Sequence, residues 1–485
     1  MHPGTLNFKR KFSVNFRRDL KLELSRMSFS SDFLDLKRGN LYPPIELSDC
    51  SEELACGTYA VSATRMERVF CEFFPYASYE MKMRLSKGSC GLAFFNDDTR
   101  VEIMARKTKL GVEIECTEGT SQEFESVNVC CQDALDLVVC ARPGFFDVNL
   151  LLDNGYYQYL TSFKVDSFSA SNKESFFRNT KVTLVVCGEA TVYSLSSYLD
   201  SGVGQADIRP VRYENGEVVR ENGRMFFTVS IRMQAETYQG VFSWLPGTDE
   251  FKMEGALFFD IGNGVWNAEV ASCLIYNRLD SRYHMWIRCA AAGHVLAYSS
   301  FASDVRFGVN VIDVKPMPPI SDSDPEELFL GVRGDEDPEF IYDEKRGVWM
   351  MAVCRVERES KKYRYFFYES ARPDSGFVFI GKGLPGAETG GNIVRMEDKY
   401  YFVCGNDFSR VSDYRVYEWG KFESYTSLNS DYPDGGFRGW GTVFSLNMGT
   451  RSRFFHFTFD RKLMSDFNWS YGNLYCFEAE EYIKI

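Results

Sequence analysis

Five stretches of the second half of the chain repeat one plan. A polar or charged residue opens an apolar strand, a turn follows, and then comes an aromatic-rich strand. The openings are Asp207-Ile-Arg-Pro, Glu269-Val-Ala-Ser-Cys, Asp337-Pro-Glu-Phe-Ile-Tyr, Glu388-Thr-Gly-Gly-Asn-Ile-Val and Trp440-Gly-Thr-Val-Phe. The intervals between them are 62, 68, 51 and 52 residues. A unit repeated at such spacing cannot bury its apolar face alone and must stack against its copies. With about four short strands each, the units fit the blades of a β-propeller, and five blades fill residues 201–485. A second sandwich with irregular loops is the competing reading.

Helical periodicity is scarce along the whole chain, so the fold class is all-β. In residues 1–200, short alternating strands near 79–85, 90–96, 100–105, 111–115, 135–141, 147–152, 157–165 and 182–187 are divided by turns such as Asn96-Asp97-Asp98. That spacing predicts an antiparallel, jelly-roll-like β-sandwich preceding the five-bladed propeller. Forty-two Phe and 27 Tyr suit many short aromatic strands. It resembles a concanavalin-like or laminin-G-like sandwich in pattern alone.

A net charge of −13 with no basic run in the body of the chain argues against nucleic acid as a partner. The early cluster Lys9, Arg10, Lys11, Arg17, Arg18 and Lys21 reads as a solvated terminal arm. The 14 cysteines include no Cys-x-x-Cys pair, and many sit inside apolar strands, where a thiol behaves as a small hydrophobe. This points to a reducing, cytoplasmic setting, or a periplasmic or secreted one if a leader has been removed. No apolar stretch approaches membrane-spanning length.

In a propeller, the first strand of each blade lines the central channel. Asp207, Glu269, Asp337 and Glu388, far apart in sequence, are therefore expected to meet in one axial pocket. Several carboxyls in one pocket cannot all ionise alike. Hydrolysis of a glycosidic bond needs both states: an acid for the leaving oxygen, and a carboxylate as base or nucleophile. Asp335, Glu336 and Glu339, crowded around Asp337, are expected at the loop surface or facing away.

On these stretches the propeller half resembles the five-bladed glycoside hydrolases of family 43, and more distantly family 32. The resemblance covers about 280 residues and rests on Ala-Asp207-Ile-Arg-Pro, Asp-Glu-Asp337-Pro-Glu-Phe and Ala-Glu388-Thr-Gly-Gly-Asn-Ile. It implies that Asp207 is the general base, or the nucleophile in a retaining relative. It implies that Asp337 orients the acid and stabilises positive charge on the sugar, and that Glu388 is the general acid. Two departures stand out: Ile-Arg separates Asp207 from its proline, and Thr-Gly-Gly follows Glu388 where a proline is common.

The remaining candidates are weighed against plain structural roles. Glu269 is read as a ligand of sugar hydroxyls or as a strand-start residue paired with an arginine. Arg209, Arg333 and Arg438 are read as substrate ligands, as partners of the acids, or as phosphate ligands in a phosphorolytic enzyme. Trp266 and Trp440 flank blade starts and offer planes for stacking on sugars, with core packing as the alternative. In some relatives a His near the axis of the fifth blade helps hold a calcium or a water cluster. The resemblance extends that role to His456, beside the alternative of a hydrogen-bonded core histidine. No cofactor is required. There is no Gly-x-Ser-x-Gly elbow, phosphate-cradling loop or His-Glu-x-x-His pair. The expected activity is carboxylate-catalysed hydrolysis of an oligo- or polysaccharide. A glycan-binding propeller and a glycoside phosphorylase or transferase are the alternatives.

Overall fold

The computed structural model describes residues 1–24, 51–55 and 58–483, except 15, 17, 19, 110, 120, 130–133, 154, 156, 234–235, 319–333, 357–360, 407–412, 431–436, 449–450 and 461–472. The chain divides into two compact units. One holds Met1–Leu20, Ser201–Asn263 and Asn267–Ile485, and the other Lys21–Asp200 with Gly264–Trp266.

The larger unit is a five-bladed β-propeller. Blade one is built from Gly204–Pro210, Arg224–Arg232, Thr237–Trp244 and Phe251–Asp260, with Gly308–Asp313 added in parallel at its edge. Blade two comprises Cys273–Asn277, Arg282–Cys289, Val295–Phe301 and Lys315–Pro316. Blade three comprises Glu336–Asp343, Val348–Val356, Tyr363–Ser370 and Val378–Lys382. Blade four comprises Glu388–Met396, Lys399–Asn406, Asp413–Glu418 and Lys421–Ser427. These are antiparallel meanders of alternating or wholly apolar strands, as period-two patterning requires.

Each pair of neighbouring blades shares an aromatic and aliphatic core. Leu274, Met285 and Ile287 pack on Phe226 and Leu257 between blades one and two. Trp286 stacks on Phe340 at 4.2 Å between two and three. Phe367 stacks on Phe422 at 4.0 Å between three and four. Val394 and Val403 join Val443 and Phe477 between four and five. Trp244 meets Phe455 and Phe457 at 5.1 and 5.0 Å between five and one. Full burial of each such side chain is worth about 1.5–3 kcal/mol, so the ring is held by five comparable seams.

The N-terminal residues close the ring, which overturns the expectation of a solvated arm. Strand Asn7–Val14 pairs antiparallel with Leu474–Ile483 and supplies the outermost long strand of blade five, beside Phe437–Met448 and Arg451–Asp460. The short strand Asn429–Ser430 caps its far edge in parallel. The run of basic residues misled: Lys9, Arg10 and Lys11 are exposed, whereas Phe8 beside them on the strand is fully buried. Arg18, counted with the arm, is itself buried. Arg17 lies outside the described residues.

In the other unit, eleven strands are hydrogen-bonded as one continuous sheet that forks. Ser78–Phe95 pairs through its first half with Leu135–Arg142 and through its second half with Arg100–Lys107, while Lys181–Asp200 runs along its whole length. Two expected strands, near 79–85 and 90–96, are thus one long strand. Phe73, Tyr79, Phe94, Phe146 and Phe168 form a connected set of ring contacts in its core. Among the described residues no helix is long and apolar enough to cross a membrane.

Candidate active site

The inner strands of blades one, three and four each break register near their start, between Ala206 and Arg209, Glu336 and Glu339, and Thr389 and Asn392. A bulge of this kind re-aims the side chain it carries. At each one a residue adopts a left-handed backbone: Asp207 at φ 50°, Asp337 at φ 44° and Gly390 at φ 60°. Ala271 takes φ 57° just before the inner strand of blade two. Glycine adopts this conformation freely, but the two aspartates hold it at a cost, and such strain clusters at functional sites. The structural equivalents are therefore Asp207, Ala271, Asp337 and Gly390. Glu269 and Glu388 stand two residues earlier, level with Gln205 and Asp335. The expectation that Asp207, Glu269, Asp337 and Glu388 are equivalent is corrected to two staggered tiers.

Asp207 is 3% exposed. Burial, and then the neighbouring charge of Asp337, push its carboxyl above the usual range, against the pull of Arg232, Arg209 and the Ser230 hydroxyl. Arg232 Nη2 lies 3.7 Å from Asp207 Oδ2, too long for a close ion pair. Asp337 is half-buried and fixed from blade four: its Oδ2 accepts from Thr389 Oγ1 at 2.9 Å and from Gly390 N at 3.1 Å. Two aspartates from different blades thus feel one another, one buried and one clamped.

Glu336 was expected at the surface or turned away, and the structure places it with this pair. Burial, and then the charges of Asp337, Asp207 and Asp335, raise its carboxyl from the ordinary 4.5 to about 7 against the pull of Arg288. Arg288 Nε is 3.5 Å from Glu336 Oε2, and the glutamate side chain is 25% exposed. Asp335 is tied away by Arg355 Nε at 2.5 Å. No signal in Gly-Asp-Glu-Asp-Pro separates Glu336 from its acidic neighbours. The bulge, which sequence does not reveal, decides which of them faces the mouth.

Glu388 is enclosed. Its Oε1 accepts from Tyr417 Oη at 2.5 Å and Arg415 Nη1 at 3.0 Å, and its Oε2 from Tyr365 N at 3.0 Å. Burial nevertheless pushes its carboxyl upward. The segment 383–387 lies over it like a strap, with Leu384 N donating to Tyr417 Oη and Ala387 N to Asn406 Oδ1. A side chain at Gly383 would place its Cβ 2.2 Å from Glu388 Oε2. Neither Arg415 nor Tyr417 was flagged from sequence, since neither belongs to any motif.

Beneath the acids, the channel is filled by a polar floor. Arg209, 1% exposed, donates to Gly391 O and faces Glu339, Tyr365, Asp337 and Asp207. Arg212 donates to Glu339 and to Ile393 O, and Ile393 N donates to the same Glu339 oxygen at 3.2 Å. Asn392 exchanges hydrogen bonds with the Val443 backbone at 2.8 and 3.0 Å. Arg209 was read as a substrate ligand or as a partner of the acids; its buried guanidinium faces the acids and ties blade one to blade four. Glu339, expected outside the channel, is fully buried in it.

The other candidates scatter. Glu269 is 5% exposed and accepts from Ala291 N at 3.0 Å. Trp266 belongs to the smaller unit, where it is buried against Phe74 and Phe177 and presents no face to a sugar. Arg333 lies outside the described residues, and the described backbone of Arg438 and Trp440 carries no described side chain. His456 is fully buried among the rings of Tyr414, Phe8 and Phe477, and burial lowers it to about 3, so it is neutral. Its Nδ1 meets Ser430 Oγ at 3.3 Å. Calcium wants six or more oxygen ligands, and this aromatic setting does not fit it. Among the described residues no group of three or more His, Cys, Asp or Glu could hold a metal ion. A cavity of about 340 Å³ lies at the opposite ends of the inner strands, lined by Asn215, Glu217, Arg395, Glu397 and Asn447, and includes none of these acids.

No protein-family model and no curated protein matches the chain. Among solved structures, it is similar to an α-L-arabinofuranosidase from Podospora anserina in complex with cellotriose, at 12% identity and TM-score 0.40, covering 59% of this chain and 93% of that one. It is similar to a thermostable family-43 glycoside hydrolase at 13% identity and TM-score 0.37, covering 59% and 94%. It is also similar to a Caenorhabditis elegans galectin at 14% identity and TM-score 0.21, covering 28% and 94%.

Proposed function

We propose that the propeller is a glycoside hydrolase acting on an oligo- or polysaccharide through the carboxyls of its inner strands. The observation that carries this reading is the Asp207–Asp337 pair. Both side chains are re-aimed by equivalent left-handed bulges, and the charge of one raises the proton affinity of the other. Glycoside hydrolysis needs carboxyls of unequal proton affinity around one bond.

Asp207 is the general base. It takes a proton from water as the water oxygen attacks the anomeric carbon. Action through a water molecule gives inversion at that carbon. Asp337, held by Thr389 and Gly390, faces the positive charge that develops on the sugar. Arg209 below keeps the pair from accumulating uncompensated charge. The proton for the leaving oxygen comes from a further carboxyl of the same mouth.

The test is a proton NMR time course with arabino-, xylo-, galacto- and fructo-oligosaccharides, with and without phosphate. Native protein is compared with Asp207→Asn and Asp337→Asn. Phosphate-independent cleavage by native protein, lost by about a hundredfold or more in each variant, is the expected result. Cleavage only with phosphate, or equal cleavage by the variants, would overturn the reading.

A further inference from the structure

We propose that Glu336, rather than Glu388, is the carboxylic acid that protonates the leaving glycosidic oxygen. This rests on the hydrolase reading and assigns its missing proton donor.

A general acid must come within hydrogen-bond reach of the departing oxygen. Glu388 has no exposed surface, both of its oxygens accept from protein donors, and Gly383 closes over it. Three donors and no exit describe an anchor that fixes the strap and the start of blade four. Glu336, one residue from Asp337, has an opening to solvent at 25% side-chain exposure, and no close ion pair holds it as Arg355 holds Asp335.

Its surroundings suit a proton held and then released. From blade two, Arg288 reaches it only at 3.5 Å, and the same guanidinium is shared with His294 Nδ1. From blade one comes the charge of Asp207, and from its own strand those of Asp335 and Asp337. From the paired strand, Cys354 lies opposite in register, and Arg355 is spent on Asp335. Among the described residues, carboxylates thus outnumber the loosely held Arg288, and Glu336 keeps a proton where an isolated glutamate would have lost it. The buried Arg209, whose Nε and Nη2 have no partner among the described residues, lies on the Asp207–Asp337 side. It pulls the Asp207 carboxyl down, against the burial that raises it.

The step balances without a cofactor. The Glu336 O–H proton passes to the glycosidic oxygen, and the C–O bond breaks with its electron pair going to that oxygen. Water adds to the anomeric carbon and gives its proton to Asp207. Solvent returns the proton from Asp207 to Glu336.

The experiment has two arms. In the first, native protein, Glu336→Gln and Glu388→Gln are assayed on alkyl, 4-nitrophenyl and 2,4-dinitrophenyl glycosides of the same sugar panel, across pH, after circular dichroism confirms folding. Glu336→Gln is expected to lose about a hundredfold to ten-thousandfold on alkyl glycosides and less than about tenfold on dinitrophenyl ones, with the basic limb of its pH profile gone. In the second, ¹³C NMR of carboxyl-labelled glutamate follows native protein and Glu336→Gln, with no substrate present. One carboxyl titrating near neutrality, absent from Glu336→Gln, is expected. A basic limb retained in Glu336→Gln while native protein turns over, or no glutamate titrating above about pH 6, overturns the assignment. If native protein cleaves no member of the panel, the hydrolase reading falls and takes this role with it.

Discussion

Replacing Phe8 by alanine tests how the ring is closed. Phe8 is fully exposed in any solvated arm and fully buried in the structure, inside the seam of Val443, Tyr414, Leu428 and Phe477. Truncating a buried phenylalanine costs about 3–5 kcal/mol, from lost transfer energy plus the cavity left behind. That lowers the folded-to-unfolded ratio by roughly two to three and a half powers of ten. With a urea slope of about 3 kcal/mol/M, the propeller midpoint falls by about 1–1.7 M. Ser13→Ala, exposed on the same strand, is the control and should stay within about 0.5 kcal/mol. The assay is urea unfolding read by hydrogen exchange of peptides from Leu474–Ile483, the strand that Asn7–Val14 covers. If Phe8→Ala unfolds at the same urea concentration as Ser13→Ala, the N-terminal strand does not close the propeller.

Further outcomes follow from the same contacts. Glu339→Gln leaves Arg212 as a buried unpaired cation and should cost about 3–5 kcal/mol by thermal melting, whereas Arg212→Met with Glu339→Leu should cost less than the single change; an equal or greater loss in the double variant would refute the buried pair. Gly383→Ala drives a methyl against Glu388 and should cost about 1–3 kcal/mol, and an unchanged melting temperature would remove the tight packing of the strap. Glu336 binds its proton more tightly folded than unfolded, so native stability falls as pH rises from about 4.5 to about 7 and is level above. Glu336→Gln lacks that loss, and its stability relative to native should rise across the same window; parallel curves from pH 4 to 8 would contradict this.

The repeats were legible because blades share a strand pattern, and stacking blades demand it. Asp207 and Asp337 could be picked out because blade-start acids recur at repeat spacing. What escaped was the one- or two-residue detail. A bulge shifts register without leaving a mark in the sequence, so Glu388 reads as the equal of Asp337 although Gly390 is its true counterpart. The same bulge turns Glu336 toward the mouth and Glu339 into the floor. Trp266 sits near a blade start in sequence, but Gly264–Trp266 belong to the other unit, because long-range packing overrides chain proximity. Phe8, Phe12 and Val14 share one parity in Asn7–Val14, a strand signature that the run Lys9-Arg10-Lys11 concealed.

The most direct measurement is hydrolysis in ¹⁸O-labelled water with an oligosaccharide from the panel, read by mass spectrometry before the released sugar exchanges. Attack by a water activated at Asp207 predicts one ¹⁸O on the anomeric carbon of the released sugar, and its loss in Asp207→Asn. Release without ¹⁸O, as a sugar phosphate or a transfer product, would contradict hydrolysis at this site, as would native protein that leaves every sugar intact.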